Sequence, residues 1–75
     1  MGERAMKDTD LKVGMHVSIA AVNGVAAYLH GCPCVVEAVN VATDFNGKPK
    51  HLLRLLEERK PMNGYVNCRA DQMEG

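Results

Sequence analysis

The residues best suited to chemistry in this chain are its thiols and imidazoles. Between Leu29 and Val39 the sequence reads LHGCPCVVEAV, placing His30, Cys32 and Cys34 at alternate positions with Pro33 between the thiols. Cys68 and His51 complete the set of soft ligands. Zinc takes four such ligands in a tetrahedron, so Cys32, Cys34, Cys68, His30 and His51 form a candidate set. Cys-x-Cys is an uncommon zinc spacing, however, and a redox pair ordinarily has two residues between its thiols. The reading that fits best is structural. Gly31 and Pro33 turn the chain, and Cys34 enters a strand as a small apolar side chain. No cofactor and no metal are expected. Other catalytic patterns are missing too: the sequence has no Gly-rich phosphate loop, no Ser/His/Asp grouping and no carboxylate pair set among apolar residues. A non-enzymatic protein is expected.

Two further groups of residues are candidates for binding. From Lys48 to Lys60 the chain carries Lys48, Lys50, Arg54, Arg59 and Lys60, with His51 among them, against Glu57 and Glu58. Such an edge suits RNA phosphates, through contacts that weaken with salt. The whole chain argues the other way. Its nine Lys and Arg balance nine Asp and Glu, whereas dedicated nucleic-acid binders are usually basic. Aromatic residues make up only 4%, too few for a base-stacking platform. The second group is apolar: Val35, Val39, Val41, Leu52 and Leu56.

These residues need elements to position them. Seventy-five residues make a single domain, and 47% apolar content fits a folded one. Residues 1–9 show no period and read as a flexible N-terminus, leaving 10–75 as the domain. From Leu11 to Ile19 apolar and polar residues alternate, the mark of a half-buried strand. Asn23-Gly24, Asn46-Gly47 and Asn63-Gly64 are each flanked by apolar stretches and read as hairpin turns. Strands are expected near 13–22, 25–29, 34–43, 50–57 and 65–68, with a helical turn in RADQMEG that lets Met73 close the core. Two segments stay open between strand and helix. KHLLRLLEERK has high helix propensity, yet Asn-Gly pairs punctuate both its sides. GVAAYLHG fits a short helix as well. The pattern indicates a mostly β fold, a small SH3-like barrel of about five antiparallel strands with a closing turn near the C-terminus.

Several stretches are similar to a known family. Gly31-Cys32-Pro33-Cys34-Val35-Val36-Glu37, then Asn46-Gly47-Lys48, then His51-Leu52-Leu53-Arg54-Leu55 resemble the N-terminal domain of the elongation factor P and initiation factor five-A family. LKVGM and NGYVNCRADQM resemble the start and end of that domain. The resemblance implies an SH3-like, KOW-like barrel, and implies that Lys48 matches the lysine those factors carry, modified, at a hairpin tip. The stretches AAVNGVAAYL and AVNVATDFN are longer than in the family, and Pro49 follows Lys48.

Faces give the strongest expectation. In a barrel, strands bury one face and should alternate. In His51–Leu56, Leu53 and Leu55 take one face while Leu52 and Leu56 take the other. In Cys34–Ala42 one face carries Cys34, Val36, Ala38 and Ala42, the other Val35, Val39 and Val41. A small barrel cannot enclose both sets. Burying the five surplus residues would contribute about 7–15 kcal/mol before association costs, at about 1.5–3 kcal/mol each. The expected consequence is a homo-oligomer, most simply a dimer, or a tightly held protein partner. No apolar run approaches the ~18 residues that cross a membrane, and three Cys cannot all pair, so a cytoplasmic protein with reduced thiols is expected.

Overall fold

A computed structural model describes residues 6–59 and 64–75. Five strands form one antiparallel sheet: β1 (His16–Ile19), β2 (Pro33–Thr43), β3 (Pro49–Leu55), β4 (Tyr65–Cys68) and β5 (Met73–Glu74). Their order is β4-β3-β2-β1-β5. This corrects the barrel expectation. β4 and β5 are the two edges and do not pair with each other, so the sheet stays open. Two features account for this. β5 is only two residues long. The segment expected to supply a strand at 25–29 instead makes a 3-10 turn, Ala27–Leu29.

Registry places the core. Val17 opposes Cys34, Cys34 opposes Leu55, and Val36 opposes Leu53. Leu53 opposes Val66, His51 opposes Cys68, and Ile19 opposes Met73. Opposed residues share a face, so these side chains form one inner surface. Leu11, Leu29, Cys32 and Ala70 pack over it from the connecting segments. Met73 is fully buried, and the 3-10 turn Ala70–Gln72 delivers it, as RADQMEG suggested.

Several boundaries differ from the sequence reading for local reasons. β1 is shorter than 13–22 because Gly14, at φ 91°, donates to Val36 while Met15 accepts from it. Two residues then oppose one, a bulge that needs glycine's left-handed backbone. The segment 50–57 is a strand up to Leu55, since neighbours on both sides override helix propensity. A second bulge in β2 brings Ala38 opposite Leu52, moving Ala38 onto the outer face rather than the inner one. Asn23-Gly24 makes a turn closed by Val25 N–H to Val22 C=O and leads to the 3-10 turn, not to a hairpin partner. Asn63 lies outside the described residues. Of the terminus expected to be loose, residues 1–5 lie outside the described set. Met6 packs on the core, and Asp8–Asp10 forms a 3-10 turn. Among the described residues no helix is long and apolar enough to cross a membrane.

Candidate functional site

The thiols are core side chains. Cys32 and Cys34 are fully buried and Cys68 is nearly so; all three are free. Cys34 donates to the carbonyl of Cys32 at 3.5 Å. Burial, then the neighbouring Cys32, pushes the Cys34 thiol up to about 12, and burial pushes Cys68 up to about 11. A thiolate is the form that attacks or binds metal, and both sites disfavour it. Among the described residues no three His, Cys, Asp or Glu side chains stand close enough together to hold a metal. His30 is spent elsewhere, its Nε2 donating to the Val25 carbonyl at 3.0 Å.

His51 is fully buried on the inner face. The backbone N–H of Asn40 donates to its Nδ1 at 3.0 Å. Nδ1 is therefore an acceptor, the proton sits on Nε2, and Nε2 donates to Asp8 Oδ1 at 2.8 Å. The pair resembles a catalytic His–carboxylate arrangement only in outline. Both nitrogens are occupied. Its effect is mechanical. Asn40, at φ 55°, is the one non-glycine residue with a left-handed backbone among those described, and it sits in the irregular part of β2. His51 fixes that kink and ties the N-terminal turn to β3. Because it is buried, its ring cannot reach an RNA phosphate.

The other basic residues divide. Lys48 is exposed at the end of the β2–β3 hairpin, and Lys50 is half-buried. Arg54 pairs with Glu37 at 3.2 Å, both side chains nearly half exposed. Arg59 is committed to the fold. It pairs with Glu57 at 2.9 Å and donates to the carbonyls of Tyr28 at 3.0 Å and His30 at 3.2 Å, closing the end of the 27–29 turn. Lys60 lies outside the described residues.

The apolar candidates fall on the outer face and on the arm beyond the β2 bulge. Rows across the outer face run His16–Val35–Arg54–Tyr65 and Ala38–Leu52–Asn67, with Leu56 bonded back to Pro33. Val35 is buried yet lies outside the core cluster, sheltered by its neighbours on the sheet. Leu52 is half-buried. Leu56 is 43% exposed, Val41 45% and Val39 36%.

Two aromatic residues, too few for a base-stacking platform, join them. Tyr65 is half exposed on the same face, and Phe45, the chain's only phenylalanine, is 98% exposed at the hairpin tip. The signal was present in Asp44-Phe45-Asn46-Gly47, which puts an aromatic in the middle of a turn with nothing to pack on. That turn is stiff. Asp44 N–H donates to the Lys48 carbonyl and Gly47 N–H to the Asp44 carbonyl, both at 2.9 Å. Asp44 Oδ1 accepts from the N–H groups of Asn46 and Lys48, also at 2.9 Å, and Arg69 reaches its other oxygen at 3.4 Å. The Lys48 N–H, then that of Asn46 and the Arg69 guanidinium, hold the Asp44 carboxyl below its ordinary range.

No family model, curated protein or solved structure matches this chain. The similarity to the translation-factor domain thus rests on the short stretches quoted above.

Among the described residues, cavities open on the surface at two places of interest. One of about 290 Å³ lies between Met6, Asp8, Lys48, Pro49 and Arg69. The other, about 370 Å³, lies where β4 faces the 24–29 segment; Val25, Leu29, Val66 and Phe45 line it together with polar residues such as Asp44, Lys50, Arg69 and Gln72.

Proposed function

We propose that this chain is a non-enzymatic protein-interaction module that associates with a second copy of itself through its exposed apolar surface. One observation carries the reading. Leu56, Tyr65, Val39, Val41 and Phe45 stay outside the core of a chain that has only seventy-five residues to build one. Scattered surface apolars are ordinary. Exposed apolar side chains on an open sheet and its hairpin arm suit an interface. The formal net charge of zero removes any long-range repulsion between copies.

Solution mass tests this directly. Sedimentation at low micromolar concentration should give twice the 8.2 kDa chain mass. Leu56→Glu, which places a charge on the exposed face, should return the monomer without unfolding it. A wild-type particle that stays at the single-chain mass up to about 100 μM, where even weak dimers form, sinks the proposal. RNA contact by Lys48 and Lys50 is the competing outcome. It would appear as RNA binding that falls steeply with salt and is lost in a Lys48→Ala/Lys50→Ala variant. Arg54 and Arg59, the other two described cations of that edge, already have acidic partners.

A further inference from the structure

We infer that the two copies are locked by an exchange of Phe45, each ring entering the partner's cavity between β4 and the 24–29 segment. The inference rests on the self-association proposed above and names the contact that fixes the pair. Three observations lead to it.

The first is the knob. Phe45 is 98% exposed, so within its own chain the ring contacts almost nothing. Yet the turn that carries it is closed by two backbone bonds and further held by Asp44 Oδ1 and Arg69. An aromatic side chain presented on a pre-organised loop loses little freedom on docking, which is what an anchor residue requires.

The second is the hole. The cavity of about 370 Å³ is bounded on its apolar side by Val25, Leu29 and Val66, and Lys50 stands at its wall. Asp44, Asn46, Asn67, Arg69 and Gln72 supply a polar side to the lining, and the volume admits one aromatic ring.

The third decides the occupant. Phe45 is itself among the residues lining this cavity, but at 98% exposure its ring does not fill it. Knob and hole therefore share one patch. A two-fold interface demands that arrangement: if the knob of one copy reaches the hole of the other, the reverse contact forms at the same time. A partner of unrelated sequence would have to bring its own hole for Phe45, whereas a second copy carries one on the same patch.

Two variants and their mixture test the exchange, read by sedimentation with circular dichroism as the check on folding. Phe45→Ala removes the knob. Ala26→Trp, at an exposed position lining the cavity, fills the hole. Each should raise the dimer dissociation constant at least about tenfold, the loss of one anchor residue or more. The mixture is diagnostic. Phe45→Ala keeps an open hole and Ala26→Trp keeps its knob, so a mixed pair regains one of the two contacts. It should associate more tightly than either variant alone. If wild type dimerises and Phe45→Ala dimerises equally well, the exchange is wrong and self-association stands. If the mixture gains nothing over its components, the exchange is equally overturned. If wild type is monomeric throughout, both readings fall together.

Discussion

Both ring nitrogens of His51 are committed, and that decides what the residue does. Its Nδ1 takes the Asn40 N–H and its Nε2 serves Asp8, inside a fully buried position. Replacing it by Ala leaves a void and removes the partner of the Asn40 N–H. His51→Ala should cost about 2–4 kcal/mol by urea denaturation. Asp8 is the outer partner, its side chain 47% exposed. Asp8→Asn keeps an acceptor oxygen and should stay within about 1 kcal/mol of wild type, while Asp8→Ala, which leaves Nε2–H unpaired, should cost about 1–3 kcal/mol. Equal losses for Asn and Ala at position 8 would show that the hydrogen bond is not what matters there. The thiols give a second prediction at this scale. With Cys34 near 12 and Cys68 near 11, at most about 0.1% of either is thiolate at pH 8. Alkylation of these two should therefore track global unfolding, and added zinc should not raise the melting temperature. Fast labelling of Cys34 or Cys68 in the native protein would contradict the burial that sets both values.

At the scale of elements, the β2–β3 hairpin joins sequence to pH. The Asp44 carboxyl is held below its ordinary 3.8, first by the Lys48 N–H. A carboxyl whose folded value is depressed adds stability that is fully present above the unfolded value and is lost as pH falls through the folded one. Wild type should therefore exceed Asp44→Asn in stability at pH 7, and the gap should shrink once pH drops below about 4. A gap that is constant from pH 7 to pH 2 would show that the charge contributes nothing. The same hairpin marks how far the sequence could be read. Asn46-Gly47 located the turn, and Leu53 and Leu55 against Leu52 and Leu56 divided β3 correctly between its faces. What could not be read was the bulge structure. Glu37 and Asn40 give no local signal that the register shifts beside them, because the shift is decided by His51 and Arg54 on the neighbouring strand. For the same reason Ala38 was assigned to the wrong face. The 3-10 turn at Ala27–Leu29 escaped too, since Arg59, thirty residues further on, holds its carbonyl end. Phe45 was legible in its turn only as one of a few aromatics, because period-based reading looks for partners within strands.

For the whole molecule the decisive feature is a sheet that stops short of closing. Its inner face is covered by connecting segments, β4 is an edge strand beside a cavity, and apolar side chains remain on the outer face. A chain of this length buries only about 60–65% of its unfolded surface, so a monomer has little stability to spare. The proposed self-association would couple to folding, and mass action makes that measurable. When dimerisation and folding are linked, the melting temperature rises with protein concentration. Over roughly a hundredfold range the rise should be about 5–10 °C for a domain of this size. Leu56→Glu and Phe45→Ala should both flatten the dependence, and both should converge on the wild-type curve at low concentration, where the wild type has dissociated. Convergence separates an interface effect from a folding defect, because a variant with a damaged core would melt early at every concentration. A wild-type melting temperature indifferent to concentration, alongside a native circular dichroism spectrum, would mean that the open sheet is stable alone and that its exposed side chains await a different partner.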